Sequence, residues 1–183
     1  MGNIESKILK SKKGKEVLIR RARAGDSKNI ININVSVIAE ELYMMREQDE
    51  ASYNEESFGK EIENYLHSPN HVYIVAETAK KVVGYIEFRN GYFRRTSHSG
   101  MFSMFVLKDY REEGIGNMLL DAMTGWAEKN PSIEKITLAV FSTNDRAQAL
   151  YKKSGFVEEG RCPKDMKLRD GSYIDSVLMY KFV

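Results

Sequence analysis

The residues best placed to do chemistry are Arg111 to Gly116, which read Arg-Glu-Glu-Gly-Ile-Gly. Gly114 and Gly116 have no Cβ, so a ligand can approach the backbone closely, and Arg111 adds a planar cation. The stretch is typical of a turn that binds an anion, although a tight turn without a ligand gives the same pattern. Two nucleotide motifs are absent. There is no G-x-x-x-x-G-K-[ST] loop, and Leu119 occupies the place of the third glycine in the dinucleotide motif.

The elements on either side of this stretch explain why an anion would bind there. Apolar residues from Met101 to Leu107 predict a strand, and a helix is predicted after the turn. The helix prediction rests on apolar residues at three- and four-residue steps: Ile115, Met118, Leu119, Ala122, Met123 and Trp126. The first N–H groups of such a helix have no internal partner and lie at the positive end of its dipole. A strand, a glycine turn and a helix in this order therefore favour an anion at the start of the helix.

The remaining pattern predicts an α/β fold with a single mixed, mainly antiparallel central sheet flanked by helices. We expect strands at 17–22, 72–76, 82–88, 98–107, 136–140, from 156 and at 173–182, with helices at 27–47, 55–67, 115–126 and 144–154. These elements form one predicted domain, residues 16–183. The lysine-rich residues 1–15 are predicted to be a mobile or peripheral basic arm.

Composition excludes several other classes of protein. The 183 residues carry a net charge of +2, too balanced to indicate nucleic-acid binding. No apolar run is long enough to cross a membrane, and the polar start does not resemble a secretory signal. One cysteine and three scattered histidines predict neither a disulfide nor a metal site, and the single cysteine favours a cytoplasmic location. The segment Met1 to Ser6 matches the short N-myristoylation pattern, which we attribute to chance.

Two motifs together give the chain a family resemblance. Residues 106–120 contain the [RQ]-x-x-G-x-[GA] pattern at Arg111 to Gly116, and Asn144 to Phe156 fits N-x-x-A-x-x-L-Y-x-x-x-G-F. With both motifs in strand and helix contexts, the sequence resembles the GNAT superfamily of acyl-CoA-dependent N-acetyltransferases, over about residues 17–183. Its C-terminal part resembles the branch near ribosomal-protein, polyamine and antibiotic acetyltransferases. The resemblance implies the acyl-CoA N-acyltransferase fold.

The resemblance also implies a binding mode for acetyl-CoA. The pyrophosphate would bind the N–H groups of the loop, and the pantetheine arm would follow backbone groups of the preceding strand. Asn144 would bond the pantetheine arm, or it could simply cap its helix. The implied binding residues are Met104, Phe105, Val106, Arg111, Glu112, Glu113, Gly114, Ile115, Gly116, Asn117 and Asn144. Glu112 and Glu113 depart from the family pattern, in which glycine or a basic residue is frequent. We predict that both carboxylates point into solvent.

The implied reaction is the attack of a neutral amine on the thioester. The resemblance gives Tyr151 the task of protonating the departing thiolate, although helical spacing alone would make it a core tyrosine. A backbone N–H near Phe105 or Val106 would polarise the carbonyl. The general base is left open among Glu87, His98 and water.

We therefore expect an enzyme that transfers acetyl from acetyl-CoA to a primary amine of a small molecule or a peptide. The alternatives are a non-catalytic acyl-CoA sensor and an interaction module that binds no cofactor. Acidic residues in the first two helices are either a solvated face or an acidic wall that attracts a cationic acceptor. They are Glu40, Glu41, Glu47, Asp49, Glu50, Glu55, Glu56, Glu61 and Glu63. A homodimer is compatible with the resemblance. We expect no nucleic acid, membrane or metal partner.

Overall fold

The computed structural model describes residues 4–40 and 43–183. Glu41 and the first part of the Met1 to Ser6 match lie outside the described residues. The strands are β1 (Lys7–Lys10), β2 (Glu16–Arg21), β3 (Val72–Thr78), β4 (Lys81–Asn90), β5 (Ser99–Val106), β6 (Lys135–Phe141), β7 (Val157–Lys167) and β8 (Tyr173–Phe182). The helices are α1 (Ser27–Ile38), α2 (Glu55–His67), α3 (Ile115–Ala127) and α4 (Asp145–Lys153).

The strands form one sheet in the order β1-β2-β3-β4-β5-β6-β8-β7. Only β5 and β6 are parallel among the paired strands of the described chain, so the predicted mixed, mainly antiparallel sheet is confirmed. Alternate residues of the strands point to opposite faces of the sheet and form an apolar cluster on each face. One cluster receives α3 and α4, through side chains such as Leu119 and Tyr151. The other receives α1 and α2, through side chains such as Ile33 and Ile62.

The parallel pair β5 and β6 is joined only at its beginning. Both strands keep their outer partners for their whole length, since β5 pairs with β4 as far as Val106 and β6 pairs with β8 as far as Phe141. After the joined part the two strands diverge, and a gap opens between their carboxyl-terminal halves. The loop that contains residues 111–116 follows β5 and lies at the open end of this gap. The pairs that join β5 to β6 are Ser99 with Lys135, Gly100 with Ile136 and Met101 with Thr137.

The structure differs from two predictions. The predicted arm is peripheral but not without structure, because residues 7–10 form β1, the edge strand that pairs with β2. All four side chains of β1 are exposed, so the strand has no alternation of apolar and polar residues for a sequence pattern to detect. The first helix ends at Ile38 instead of continuing to residue 47. Glu40 lies in the turn that follows, where it binds a distant arginine.

Candidate active site

The loop before α3 presents a row of free backbone donors. Gly114 has a φ angle of +89°, a conformation that favours glycine, and α3 begins at the next residue. The first helical hydrogen bond is donated by Met118 to the carbonyl of Gly114. Within the described ranges 4–40 and 43–183, the six amides of residues 112–117 donate to no protein acceptor. They lie at the positive end of the α3 dipole, which is an arrangement that suits an anion.

Gly116 keeps this turn close to its neighbours. A Cβ on Gly116 would lie 3.4 Å from Leu150 of α4 and 3.6 Å from Met104 of β5. These are ordinary contact distances, so a methyl group fits, but a larger side chain would meet α4 and β5. The start of α3 is therefore packed between β5 and α4.

Arg111 does not offer a free cation to this row, contrary to the sequence prediction. Its two terminal nitrogens bind the two carboxylate oxygens of Glu40 at 2.6 Å each, and its Nε donates to the carbonyl of Val106 at 2.9 Å. Its amide also has an acceptor, the carbonyl of Lys108 at 3.2 Å. The hydrogen bonds from Arg111 lower the pKa of Glu40 below its usual value. Arg111 therefore joins the loop to the turn after α1.

The two acidic residues of the loop behave differently. Glu112 points into solvent as predicted, with its side chain 84% exposed and Arg146 at 3.9 Å. The prediction for Glu113 is wrong, because its side chain is fully buried. Its carboxylate binds Lys13 at 3.1 Å and Lys15 at 3.0 Å, and Ser11 donates to it at 3.3 Å. The hydrogen bond from Lys15 is the main reason why the pKa of Glu113 is lowered.

The exposed edge of β5 offers two of the three predicted backbone positions. Leu107 donates to the carbonyl of Val83 on β4 at 2.9 Å. Because successive residues of a strand direct their backbone groups to opposite sides, the groups of Met104 and Val106 face the gap, although the carbonyl of Val106 already accepts from Arg111. Those of Phe105 face β4, so Phe105 does not offer its backbone to a ligand in the gap, which corrects the prediction.

Tyr151 lies where β5 and β6 begin to diverge. Its ring packs edge-on against Phe102 at 5.6 Å and Phe156 at 6.0 Å between ring centroids, and only 8% of the residue is exposed. Phe102 is the β5 residue directly after the last pair with β6. Burial raises the pKa of Tyr151 to about 12, so the phenol is protonated at neutral pH. Within the described residues its hydroxyl makes no hydrogen bond to protein.

Asn144 caps α4 in the way that the simpler interpretation expected. Its side-chain oxygen accepts from the amide of Ala147 at 3.1 Å, and its own amide donates to Phe141 at 2.9 Å. The side-chain NH2 group has no acceptor in the described part of the chain. Asn144 therefore fixes the start of α4 and keeps two donors for a second partner.

The two candidate bases lie far apart on the sheet. Glu87 is opposite Ser103 in the β4–β5 pair, on the face that carries Tyr85, and it binds Arg89 at 2.8 Å. His98 precedes β5, so it lies at the closed end of the β5–β6 pair, while the gap and Tyr151 lie towards the other end. An extended strand advances about 3.3 Å per residue, which puts roughly 20 Å between His98 and Met104. The structure therefore does not bring His98 to the gap.

Sequence reasoning missed the side chains that hold the loop in place. They are Glu40, Ser11, Lys13 and Lys15. All four come from segments at least 71 positions away from the loop, so no local pattern could connect them. An acidic residue inside a phosphate-binding pattern was the one available signal that a cation from elsewhere must be near.

With this geometry in place, comparisons with known proteins identify the class. Residues 39–156 match the Acetyltransferase (GNAT) family. An N-alpha-acetyltransferase of Sulfurisphaera tokodaii is 32% identical over 82% of this chain and 86% of its own. A spermidine N(1)-acetyltransferase of Vibrio cholerae is 24% identical over 90% and 92%. A GNAT-family acetyltransferase of Streptococcus pneumoniae is 26% identical, with a TM-score of 0.88, over 92% of this chain and all of its own.

The chain belongs to the GNAT family of acetyltransferases. It is therefore an N-acetyltransferase, and acetyl-CoA is its acetyl donor. An acetyltransferase from Salmonella typhimurium with acetyl-CoA bound shares the fold, with a TM-score of 0.81 and 18% identity over 91% of this chain and 93% of its own. Among the described residues, no helix is long and apolar enough to span a membrane. The same residues contain no group of three histidine, cysteine or acidic side chains placed to hold a metal.

Proposed function

We propose that the chain transfers acetyl directly from acetyl-CoA to a primary amine while both substrates are bound. The row of free amides at residues 112–117, at the open end of the gap between β5 and β6, is the observation that carries this proposal. Such a row matches the oxygens of a diphosphate. The backbone groups of Met104 and the N–H of Val106 line the gap, where an extended pantetheine arm can add like a short strand. The NH2 group of Asn144 would hold the same arm near the start of α4.

Acetyl-CoA supplies the reactive thioester to this site. The N–H of Met104 or Val106 would polarise the thioester carbonyl, because both face the gap. Tyr151 would donate its phenolic proton to the sulfur as the carbon–sulfur bond breaks. With a pKa of about 12, this phenol stays protonated below about pH 11, so its ionisation does not limit the rate near neutrality.

Glu87 is the base that the geometry favours, directly or through a water molecule. It lies opposite Ser103, next to Met104 in sequence, on the face of the sheet that packs against α1 and α2. Its side chain binds Arg89 at 2.8 Å, and a carboxylate in this position can accept the proton that the amine loses. His98 has no such position, so we propose no role for it in the reaction.

The acceptor we favour is an α-amino group, of a peptide or of a free amino acid. The relatives that support this choice are named N-alpha-acetyltransferase and L-amino acid N-acetyltransferase, each 32% identical where it aligns. The L-amino acid enzyme, from Escherichia coli, aligns over 54% of this chain and 60% of its own. A polyamine is the second acceptor to test, because the spermidine enzyme aligns over 90% of the chain.

The test is a measurement of thiol release from acetyl-CoA with a panel of amines. The panel contains peptides with free and blocked N-termini, free amino acids, and spermidine. We expect release with the free N-terminus and none with the blocked one, and we expect Tyr151→Phe to lower kcat by about 100-fold or more with CoA affinity unchanged. Tight CoA binding without release on any amine would instead indicate a sensor, and absence of CoA binding would refute the proposal.

A further inference from the structure

The N-terminal lysines are packed against the loop that we assign to the diphosphate. The turn between β1 and β2, Ser11 to Lys15, hereafter the lysine turn, is closed by a hydrogen bond from the amide of Ser11 to the carbonyl of Lys15 at 2.8 Å. The amide of Lys12 donates to the carbonyl of Glu113 at 2.9 Å. The side chain of Glu113 is enclosed by the same turn, through Ser11, Lys13 and Lys15. One residue of the loop thus holds the turn by both its backbone and its side chain.

Among the described residues, several cations around the loop are already paired. Arg111 is bound in a bidentate pair to Glu40, and Lys13 and Lys15 share Glu113. Lys12 is exposed, and in residues 4–40 and 43–183 no carboxylate lies within ion-pair distance of its ammonium group. It also lies at the loop itself, because its Cγ would be 3.7 Å from a Cβ placed on Gly114.

We propose that Lys12 is a CoA-binding residue that neutralises the diphosphate at the start of α3, in the place that the sequence motif assigns to Arg111. This inference rests on the proposed diphosphate site at residues 112–117. The amide of Gly114 is in the middle of the free row, and the Cγ of Lys12 lies close to that residue. The remaining atoms of the lysine side chain, Cδ, Cε and Nζ, can therefore reach a phosphate bound at the row. A lysine ammonium beside backbone donors is a common way to hold phosphate oxygens. The burial of Glu113 then has a purpose, since it fixes the lysine turn at the distance that Lys12 requires.

The experiment is calorimetric titration of CoA into the full-length protein and its variants. Lys12→Met should weaken CoA binding by about 10-fold to 100-fold, because a charge-assisted contact is lost. Lys12→Arg should restore most of the affinity. Lys129→Met is the matched control, because Lys129 is an exposed lysine just beyond the far end of α3. The Lys129→Met variant should bind CoA with the affinity of the unaltered protein. Circular dichroism and thermal unfolding show whether each variant keeps its fold.

A second ligand, 3′-dephospho-CoA, identifies the phosphate that Lys12 contacts. We expect the same fold-loss for Lys12→Met with either ligand, since the diphosphate is present in both. A loss seen with CoA but not with 3′-dephospho-CoA would overturn the assignment and transfer Lys12 to the 3′-phosphate. Equal affinities of Lys12→Met and the unaltered protein for CoA would refute a role for Lys12 while leaving the proposed function intact. Failure of the unaltered protein to bind CoA would refute both.

Discussion

The two faces of the sheet supply their functional groups in different ways. On the side of the β5–β6 gap, the proposed cosubstrate site is a row of backbone amides in one short stretch, residues 112–117. On the face beneath α1 and α2, the groups are side chains from separate elements, such as Glu87 and Arg89 of β4 and Tyr73 of β3. Backbone donors depend on local conformation, so a motif can encode them. Side-chain constellations depend on how distant segments pack, so a motif cannot.

The largest expected effect tests how the α1 and α2 face is held together. Arg20 of β2 binds both oxygens of Asp26 at 2.8 Å, and it also binds Glu77 of β3 at 2.8 Å. Asp26→Asn should lower the free energy of unfolding by about 3 kcal/mol at pH 7, because a largely buried pair is broken. Urea denaturation measures this difference. A loss below about 1 kcal/mol would show that Glu77 alone satisfies Arg20.

The same pair has a pH signature. Burial tends to raise the pKa of Asp26, but the hydrogen bonds from Arg20 and from the amide of Arg23 outweigh burial and leave the pKa lowered. The stabilisation is therefore complete above the unfolded-state value of about 4 and is lost as the pH falls through the lower folded-state pKa. The stability difference between Asp26→Asn and the unaltered protein should shrink in that acidic range.

The next largest effect separates the two candidate bases. Glu87→Gln should lower kcat/KM for the amine by about 100-fold, because the side chain beside the gap can no longer accept a proton. His98→Gln should leave the rate unchanged, since His98 lies at the closed end of β5 and β6. Steady-state kinetics with CoA affinity measured in parallel gives the comparison. A large loss of kcat/KM in His98→Gln, with a normal kcat/KM in Glu87→Gln, would instead assign the role of general base to His98.

A smaller effect tests whether the turn that forms the amide row requires glycine at position 114. Gly114→Ala should lower stability by about 1–2 kcal/mol, because alanine is strained at a φ of +89°. Gly125→Ala is the control, since it lies inside the same helix with open space for a Cβ, and it should stabilise by up to about 1 kcal/mol. Thermal unfolding of the two variants measures the expected destabilisation by Gly114→Ala and the expected stabilisation by Gly125→Ala. Equal stability of the two variants would mean that the turn relaxes without strain.

The smallest effect concerns the contact that joins the two regions. Glu40→Gln should lower stability by less than about 1 kcal/mol, because the pair with Arg111 is partly exposed. It should also tighten CoA binding a few-fold at low salt, as a freed Arg111 adds positive potential near the diphosphate. Weaker CoA binding in Glu40→Gln would show instead that the pair is needed to position the loop.

Sequence patterns predicted the elements around the loop and the second motif well. The helix predicted from the apolar steps at Ile115 to Trp126 is α3, and the one that starts at Asn144 is α4. Both have an apolar stripe against the sheet and a clear stop, which in α4 is Gly155 with a φ of +86°. The hairpin of β3 and β4 and the strand β8 were predicted for the same reason. Their apolar periodicity is local and strong.

Contacts between distant segments explain what could not be predicted. No pattern in the lysine-rich start predicts β1. All four side chains of this edge strand are exposed, so its sequence lacks the alternation of apolar and polar residues that marks a half-buried strand. The pairing of Arg111 with Glu40 and of Glu113 with Lys13 and Lys15 joins segments far apart in sequence. Each ion pair satisfies a charge that would be costly to bury alone, but the partner is chosen by packing.

The sequence by itself determined the family, the fold class and the conformation of the turn at Gly114, because each depends on local periodicity or on the absence of a Cβ. Tertiary structure alone decided which cations face the turn. Backbone geometry is set by neighbouring residues, whereas the ion-pair partner of a charged side chain depends on which distant segments the fold packs beside it.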